Sequence, residues 1–331
     1  MLKLSQAKPG DEFECFALLM GRDLGKTQKD KPFYRVTFRD SHRAVQSMIW
    51  HDGGHFRDCD QNWQTGRFYR LQGAMEESHR YGLQLLIKSI RQVTEEDREL
   101  GFREDDFVVT SRLDPKKLYR ELFELASTHI SDEKVKELVL NILTAYQEEI
   151  STFPAARRNH HAYLGGYVEH VVSVTNNSLL LAKKYSSQFP DMQPPLDVDL
   201  VIAGAILHDI GKVIELDGTP VGAEYTVRGR LLGHILLGRD MLREHAHQIE
   251  DFDEEKLLRL EHIIVSHQNI PEWGSPVSPH TPEALLVYYA DDIDAKFQMM
   301  AMALVNHAEE SAEFTPRDNP LRRHIFKGLS K

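Results

Sequence analysis

The spacing of apolar residues changes once along this chain, and that change constrains the fold more than any other feature. In residues 33–39 apolar and polar side chains alternate, which is the pattern of a half-buried β-strand. From Asp114 onward, apolar residues recur every three or four positions, which is the period of an amphipathic helix. A chain of 331 residues is also long enough for two cores. The sequence therefore predicts an α+β multidomain protein, with a β domain followed by a helical one.

Short strands and turns fill the first 93 residues. Five segments fit strands: 12–20, 33–39, 44–50, 67–74 and 81–93. Glycines mark the turns, and a weakly helical or irregular stretch, 52–62, lies between the third and the fourth strand. An insertion at that point among five short strands is typical of a small OB-type barrel. We therefore predict a five-stranded OB-type β-barrel over residues 1–93.

The rest of the chain is predicted to contain an acidic linker over 94–112, an all-α domain over 113–312 and a basic tail over 313–331. Asp114-Pro115 is an N-cap followed by a first-turn proline, which begins the first helix. Further helices are expected around 135–143, 165–186, 198–209, 229–249, 253–268 and 281–309.

Charge is distributed unevenly between these parts. The whole chain has a net charge of −11, whereas residues 1–93 contain 15 Lys and Arg against 11 Asp and Glu. A net-positive β domain hints at a polyanionic partner. The two cysteines exclude a disulfide framework and fit a reducing compartment, and no apolar run approaches the roughly 20 residues of a membrane span. We predict a cytoplasmic protein with no signal peptide and no membrane partner.

The pair His208-Asp209 is the sharpest candidate for chemistry. An apolar helix runs into these two residues and then meets Gly211. Adjacent side chains on a helix point about 100° apart, but near a helix end both can reach one pocket. A carboxylate there can bridge two metal ions. A buried His-Asp pair that merely terminates a helix explains these two residues equally well when they are taken alone.

Four more predicted helices each carry a ligand-type side chain among apolar neighbours. These residues are His170, His234, His267 and Asp291. A single histidine on an apolar face is usually a core residue, but five helices that repeat the arrangement are hard to explain as coincidences. Neutral imidazoles with carboxylates suit manganese, iron, zinc, cobalt or nickel. The pattern indicates a metal site.

The order His, His-Asp, His, His, Asp resembles the HD-domain superfamily of metal-dependent phosphohydrolases, which is all-helical. Longer motifs are similar to those of the YhaM-type 3′–5′ exoribonucleases, in which an OB-type domain precedes the HD domain. These motifs lie at residues 160–166 (HHAYLGG), 224–226, 229–234, 274–276 and 290–296. The resemblance covers nearly the whole chain and implies the same two-domain fold.

The resemblance implies six ligands for one or two divalent metal ions: His170, His208, Asp209, His234, His267 and Asp291. Manganese is the first expectation, with iron, cobalt, nickel, zinc or magnesium as alternatives. Asp209 would bridge two ions and orient the attacking water. Asp291 is preferred over Asp292, which is expected behind the ligands, because the family's Ala-Asp position is the ligand. Gln268 stands where relatives often have a second histidine, and this departure argues against a third ion.

Other residues near the predicted ligands are candidates for contact with the substrate. Lys212 would neutralise a phosphate oxygen, although a solvated lysine at a helix end fits as well. His161 would contact phosphate or protonate the leaving group. The N–H groups of Gly165 and Gly166 would bind an anion, although close helix packing explains both glycines equally. Arg230 is a weaker candidate for binding phosphate.

The β domain is a candidate for holding a nucleic-acid strand. Basic and aromatic side chains lie in the connection 21–32 and on the outer face of the second strand: Arg22, Lys26, Lys29, Lys31, Phe33, Arg35 and Arg39. Bases stack on aromatic rings and phosphates pair with cations in proteins that bind single strands. A solvated loop, with an aromatic residue packed on the helical domain, is the alternative. The tail would extend the strand's path or remain solvated.

Together these features predict a metal-dependent 3′–5′ exonuclease that hydrolyses single-stranded RNA, with DNA as a further candidate substrate. Two alternatives stay open: a small-nucleotide phosphohydrolase or phosphodiesterase, and a non-catalytic OB/HD nucleic-acid-binding regulatory protein. The strand-binding domain argues against the first, and the complete ligand set argues against the second. Association of the chain with copies of itself into a homo-oligomer is left open.

Overall fold

The computed structural model describes residues 1–78, 82–107, 111–155, 163–219, 222–308, 312–317 and 319–329. The chain forms two compact units, Met1–Val109 and Thr110–Lys331. Within the described part of the chain, no helix is both long enough and apolar enough to cross a lipid bilayer.

The N-terminal unit is a five-stranded barrel. Its strands are β1 Glu12–Lys26, β2 Pro32–Arg39, β3 Ala44–Trp50, β4 Phe68–Ser78 and β5 Gly82–Gln92. They close in the order β1-β2-β3-β5-β4, with β4 pairing back to β1. A short helix, α1 Phe56–Gln61, lies in the connection between β3 and β4. This order confirms the prediction of an OB-type barrel.

The second strand shows how the sequence pattern builds the barrel core. Tyr34, Val36 and Phe38 are buried, whereas Arg35 between them is exposed. The first strand is longer than predicted, because the residues from Gly21 to Lys26 continue the ladder with β2. The predicted connection 21–32 is therefore mostly strand.

The acidic stretch after β5 is part of the N-terminal unit, so the predicted linker over 94–112 is wrong for residues 94–109. Phe102 and Phe107 are buried, and their rings lie 5.1 and 5.2 Å from that of Phe68. Two 3-10 turns, Glu95–Arg98 and Glu104–Phe107, carry the acidic residues. The many charged residues of this stretch led to the prediction of a linker, although the buried rings of Phe102 and Phe107 hold it against Phe68.

The C-terminal unit is mainly helical. Its helices are α2 Pro115–His129, α3 Glu133–Ala145, α4 Gln147–Thr152, α5 Gly166–Gln188, α6 Val198–Leu207, α7 Lys212–Glu215, α8 Val227–Ala246, α9 Glu254–Ser266 and α10 Pro282–Asn306. The predicted N-cap of α2 is confirmed, because the Asp114 carboxylate accepts a hydrogen bond from the N–H of Lys116. Every residue of α6 from Leu200 to Leu207 is buried, so this helix runs through the core.

Two features of the C-terminal part depart from the predicted all-α domain and basic tail. A two-stranded antiparallel sheet, β6 Leu216–Thr219 with β7 Gly222–Tyr225, connects α7 to α8. Strands of four residues are too short to produce a readable alternation. The segment predicted as a tail is folded where it is described: Phe314 and Phe326 form a β-bridge, and Ile325 is buried.

Candidate metal centre

Five helices bring the six predicted ligands to one place in the C-terminal unit. His170 lies on α5, His208 and Asp209 directly follow α6, His234 lies on α8, His267 directly follows α9, and Asp291 lies on α10. The first three and His267 are buried, and the other two are partly exposed. A cluster of charged and imidazole groups is thus set into an apolar core.

The ligand atoms form two groups that share one carboxylate. His170, His208 and Asp291 make one group, and Asp209, His234 and His267 make the other, with atoms in each group within 4.8 Å of one another. Oδ2 of Asp209 lies 3.5 Å from Nε2 of both His170 and His208. Oδ1 of Asp209 lies 3.3 Å from Nε2 of His234 and 3.5 Å from Nε2 of His267. Asp209 therefore presents one oxygen to each group.

Glycines allow the chain segments to meet at this point. A Cβ atom on Gly211 would lie 1.9 Å from the carbonyl oxygen of His234, so only glycine lets the turn after Asp209 approach α8 this closely. On α8, Gly233 has φ 72° and ψ 158°, which interrupts the helix immediately before His234. The left-handed φ favours glycine at that position.

Backbone carbonyls orient two of the imidazoles. Nδ1 of His208 lies 2.7 Å from the carbonyl oxygen of Ala205, and Nδ1 of His267 lies 2.7 Å from that of Ile264. A carbonyl oxygen can only accept, so Nδ1 carries the proton in both rings. Nε2 of each ring is left to face the centre as a potential ligand.

Carboxylates orient the other two imidazoles. Nδ1 of His170 lies 2.7 Å from Oδ2 of Asp294, and Oδ1 of the same carboxylate accepts a hydrogen bond from the Ser173 hydroxyl at 2.5 Å. Glu215 accepts from the backbone N–H of His234 at 3.0 Å and lies 3.2 Å from Nδ1 of that ring. A carboxylate behind a ligating histidine fixes the ring and raises its basicity.

The residues present fit a divalent metal. Oδ1 of Asp209 and Nε2 of His267 are buried and have no hydrogen-bond partner among the described residues. Nε2 of His170 and Nε2 of His208 lie only 3.3 Å apart, an approach that needs a proton or a cation between the two lone pairs. Imidazole nitrogens mixed with carboxylate oxygens are the donor set that first-row divalent ions take.

Charges around the Asp209 carboxylate favour its ionised form. Burial opposes ionisation, but the Lys212 ammonium and the His208 ring hold the pKa of Asp209 well below its usual value. Nζ of Lys212 lies 2.5 Å from Oδ2 of Asp209, and the lysine is itself buried. Lys212 is thus not the solvated lysine of the alternative reading, because it is buried and paired with Asp209, and its contact with a phosphate oxygen stays a prediction.

The comparisons with known proteins agree with this geometry. The HD-domain family model matches residues 167–296, a range that contains all six residues, and a model described as a putative helicase matches residues 104–216. A protein of Bacillus licheniformis named 3′-5′ exoribonuclease YhaM is 33% identical, over 96% of this chain and 95% of that protein. Its namesake in Bacillus pumilus is 34% identical, over 96% and 95%. The chain belongs to the YhaM family. It is therefore an enzyme with an HD phosphohydrolase domain.

Several residues that the sequence associated with the YhaM-family site have other roles or places. The N–H of Gly165 donates to Thr152 and that of Gly166 donates to Tyr163, so neither is available to an anion as predicted. Gly165 is required by its φ of 73° and by contact with Pro115. Arg230 is exposed in the first turn of α8, and His161 lies outside the described residues.

Sequence reasoning missed the two carboxylates behind the histidines. Asp292, expected behind the ligands, instead pairs with Lys296 at 2.7 Å, and Asp294 takes that place behind His170. Asp294 lies three positions after Asp291, hence on the same side of α10, which is a signal that could have found it. Glu215 gave no such signal, because the hairpin that positions it was not predicted.

The basic residues predicted to bind nucleic acid are not equivalent. Arg22 donates to the carbonyls of Cys59 and Asp60 at the end of α1, and Lys26 pairs with Asp30. Arg39 is half-buried, and burial lowers its pKa. A nucleic-acid strand would have to displace the partners of Arg22 and Lys26, and it would have to reach a half-buried side chain at Arg39.

The other four predicted residues of this set present a more open surface. Lys29, Lys31 and Arg35 are exposed. The Phe33 ring lies 5.3 Å from that of Trp50, which is 46% exposed on the neighbouring strand. Trp50, which ends the third strand next to a turn, was not among the residues predicted to bind nucleic acid.

Proposed function

We propose that this protein is a metal-dependent 3′–5′ exonuclease that hydrolyses phosphodiester bonds of single-stranded RNA and also accepts DNA. The observation that carries the proposal is the Asp209 carboxylate, which presents one oxygen to each of two ligand groups in a chain of the YhaM family. The two relatives named above carry the name of a 3′-5′ exoribonuclease.

Each group in the centre has a defined task in this proposal. Two bound divalent ions would lower the pKa of water and stabilise charge on the phosphoryl oxygens. Asp209 would be shared between the ions, and Lys212 keeps it ionised. Asp294 and Glu215 hold the rings of His170 and His234 in place, so the ligands are oriented before metal and substrate arrive. Manganese is the first expectation, followed by iron, cobalt, nickel, zinc and magnesium.

The barrel would hold the strand. The rings of Phe33, which is half-buried, and of Trp50, which is 46% exposed, form an aromatic pair, and Arg35 is exposed on the same strand as Phe33. Lys29 and Lys31 lie in the adjoining turn between β1 and β2. Base stacking on such rings is worth about 1–3 kcal/mol per base and tolerates any sequence. A cytoplasmic location, and a contact of His161 with phosphate or the leaving group, stay predictions of the sequence.

End-labelled strands test the activity. With Mn²⁺, a 5′-labelled single-stranded RNA should give a ladder that shortens from the 3′ end, and a 3′-labelled strand should release its label first as a mononucleotide. Asp209→Asn should remove both signals, whereas Asp240→Asn, the same change at an exposed position on α8, should not. Turnover of mononucleotides or cyclic nucleotides alone would support the small-nucleotide phosphohydrolase. Binding without cleavage would support the regulatory protein.

Point variants of the full chain test the strand-binding surface. Trp50→Ala or Phe33→Ala should raise the KM for a long RNA about tenfold, since each removes one stacking ring, and should leave kcat nearly unchanged. Leu86→Ala, at an exposed apolar residue on β5, is the matched control. An unchanged KM in both aromatic variants, across a salt series, would assign the barrel a role in packing instead.

A further inference from the structure

A tryptophan lies exposed on the loop that follows His267. Trp273 ends a 3-10 turn, Pro271–Trp273, and 52% of its surface is exposed. An indole is the largest apolar side chain, and leaving half of it in water forgoes much of the stabilisation that burial provides. The strand-binding rings Phe33 and Trp50 belong to the other unit, so they do not account for this one.

The turn that carries Trp273 is fixed to the loop of a predicted ligand. Ser275 is buried and accepts a hydrogen bond from the N–H of Gln268 at 2.9 Å. Gln268 directly follows His267, and the side-chain nitrogen Nε2 of Gln268 lies 3.3 Å from Nε2 of His234. Gly274, with φ 112°, closes the turn between Trp273 and Ser275. The turn that carries the indole is thus hydrogen-bonded to Gln268, whose side chain lies next to the ring of His234.

A cation lies over the Trp273 ring. Nζ of Lys296 lies 5.8 Å from the centre of the Trp273 ring. The same ammonium lies 2.7 and 2.8 Å from the two carboxylate oxygens of Asp292, the neighbour of Asp291. An ammonium has three donors, so this pairing leaves capacity for a further anion. Half of the Lys296 side chain is exposed, which lets an anion reach it.

We propose that Trp273 and Lys296 form a nucleotide-binding platform at the metal centre. The base of a nucleotide that flanks the scissile phosphate stacks on Trp273, and a phosphate next to that base pairs with Lys296. An aromatic face beside a cation is the combination that binds single-stranded nucleic acid without reading its sequence. Asp292 positions Lys296 for this contact. The proposal rests on the exonuclease function above, and it adds a second point of substrate recognition that is independent of the barrel.

An abasic strand separates stacking from every structural role of Trp273. In the wild-type protein, removing the base at one of the two positions that flank the scissile phosphate should lower kcat/KM about tenfold, since one stacked base is lost. Trp273→Ala should lower kcat/KM for the intact strand by the same factor and should show no further loss on the abasic strand. Trp273→Phe, which keeps an aromatic face, should recover most of the activity.

Control variants keep this experiment decisive. Leu258→Ala, at an exposed apolar residue of α9, should retain the wild-type response to the missing base. Lys296→Ala should raise KM for both strands equally, because it removes the phosphate contact and not the stacking surface. If Trp273→Ala loses as much activity on removal of the base as the wild type does, the platform is overturned while the exonuclease function stands.

A binding measurement distinguishes failure of the platform from failure of the exonuclease function. A nucleoside 5′-monophosphate added to the Mn²⁺-loaded protein should quench tryptophan fluorescence in the wild type. Trp273→Phe retains Trp50 and Trp63 and should lose the part of that response that does not come from Trp50. If no strand is hydrolysed but the Trp273-dependent quenching persists, the platform stands and the exonuclease function fails. Identical quenching in wild type and Trp273→Phe would overturn the platform.

Discussion

Each unit of the protein buries an aspartate beside cationic side chains, but the two aspartates are satisfied to different degrees. In the N-terminal unit, Asp97 accepts from Arg91 on both oxygens at 2.6 Å and from the N–H of Thr94 at 2.9 Å, and Arg70 lies 3.5 Å away. In the C-terminal unit, Oδ2 of Asp209 pairs with Lys212, but Oδ1 has no hydrogen-bond partner among the described residues.

The difference separates a group that stabilises the fold from a group that is kept for a ligand. Buried polar atoms are nearly always hydrogen-bonded, because an unsatisfied one costs about 1–3 kcal/mol. Asp97 meets that requirement with groups of its own unit. Asp209 and the Nε2 atom of His267 do not, and both belong to the ligand groups. A cation bound between these atoms would recover this cost.

Removing the shared carboxylate should have the largest effect. We expect Asp209→Ala to lower hydrolysis by at least about a thousandfold, since about 4 kcal/mol of phosphoryl charge stabilisation depends on the metal centre. Far-UV circular dichroism should still report the helices. The change also leaves Lys212 buried without its partner, so Asp209→Ala with Lys212→Met separates lost stability from lost chemistry. Hydrolysis by the double variant at the wild-type rate would contradict the role given to Asp209.

Metal removal should affect the two units differently. An ion at about a thousand times its Kd stabilises the folded form by about 4 kcal/mol, which corresponds to a change in Tm on the order of 10 °C for a unit of this size. A chelator should therefore lower the Tm recorded at 222 nm, which reports the helices. The fluorescence of Trp50 and Trp63 in the Trp273→Phe background reports the barrel, and its transition should not move. Equal shifts of both transitions would contradict the expectation that a bound metal stabilises the helical unit and not the barrel.

The sequence identified the candidate ligands of the centre but not the carboxylates that lie behind the histidines. His170, His208 and His267 could be found because each interrupts an apolar helical pattern or directly follows one. Asp294 and Glu215 act through distances that depend on how helices pack and on a hairpin with no readable period. The barrel was predictable for the same reason as the ligands, since alternation on a strand is a local pattern.

The carboxylate behind His170 should have an intermediate effect. Asp294→Asn keeps a side chain of the same shape but removes the charge that orients and polarises the ring, so metal affinity should fall ten- to a hundredfold. Titration of the metal-free protein with Mn²⁺ measures this loss directly. Asp292→Asn, two positions away and paired with the Lys296 ammonium, is the matched control and should leave Mn²⁺ affinity close to that of the wild type. Equal losses in the two variants would mean that general charge, not the contact with His170, sets the affinity.

The Asp97 cluster shows why the predicted linker was misplaced. Four acidic residues at 95–97 and 99 made the segment resemble a solvated connector. Asp97 is nevertheless buried, because it accepts from Arg91 and Arg70 on the adjacent strands β5 and β4. Pairing of an acidic residue with arginines on two neighbouring strands cannot be read from composition.

Asp97→Asn should have the smallest effect, and a purely structural one. It exchanges a charged hydrogen-bond network for a neutral one, so the barrel should lose about 1.5 kcal/mol of its free energy of unfolding while Mn²⁺ affinity stays unchanged. The Arg91 hydrogen bonds hold the pKa of Asp97 far below its usual 3.8. The stabilisation is therefore complete above pH 3.8 and is lost as the pH falls below that value toward the lowered pKa. Denaturation of the barrel, followed by the fluorescence of Trp50 and Trp63 between pH 7 and about 2, should show a shallower acid dependence in the variant than in the wild type. If Asp97→Asn loses Mn²⁺ affinity, or keeps the full acid dependence of the wild type, then Asp97 does not have the purely structural role that distinguishes it from Asp209.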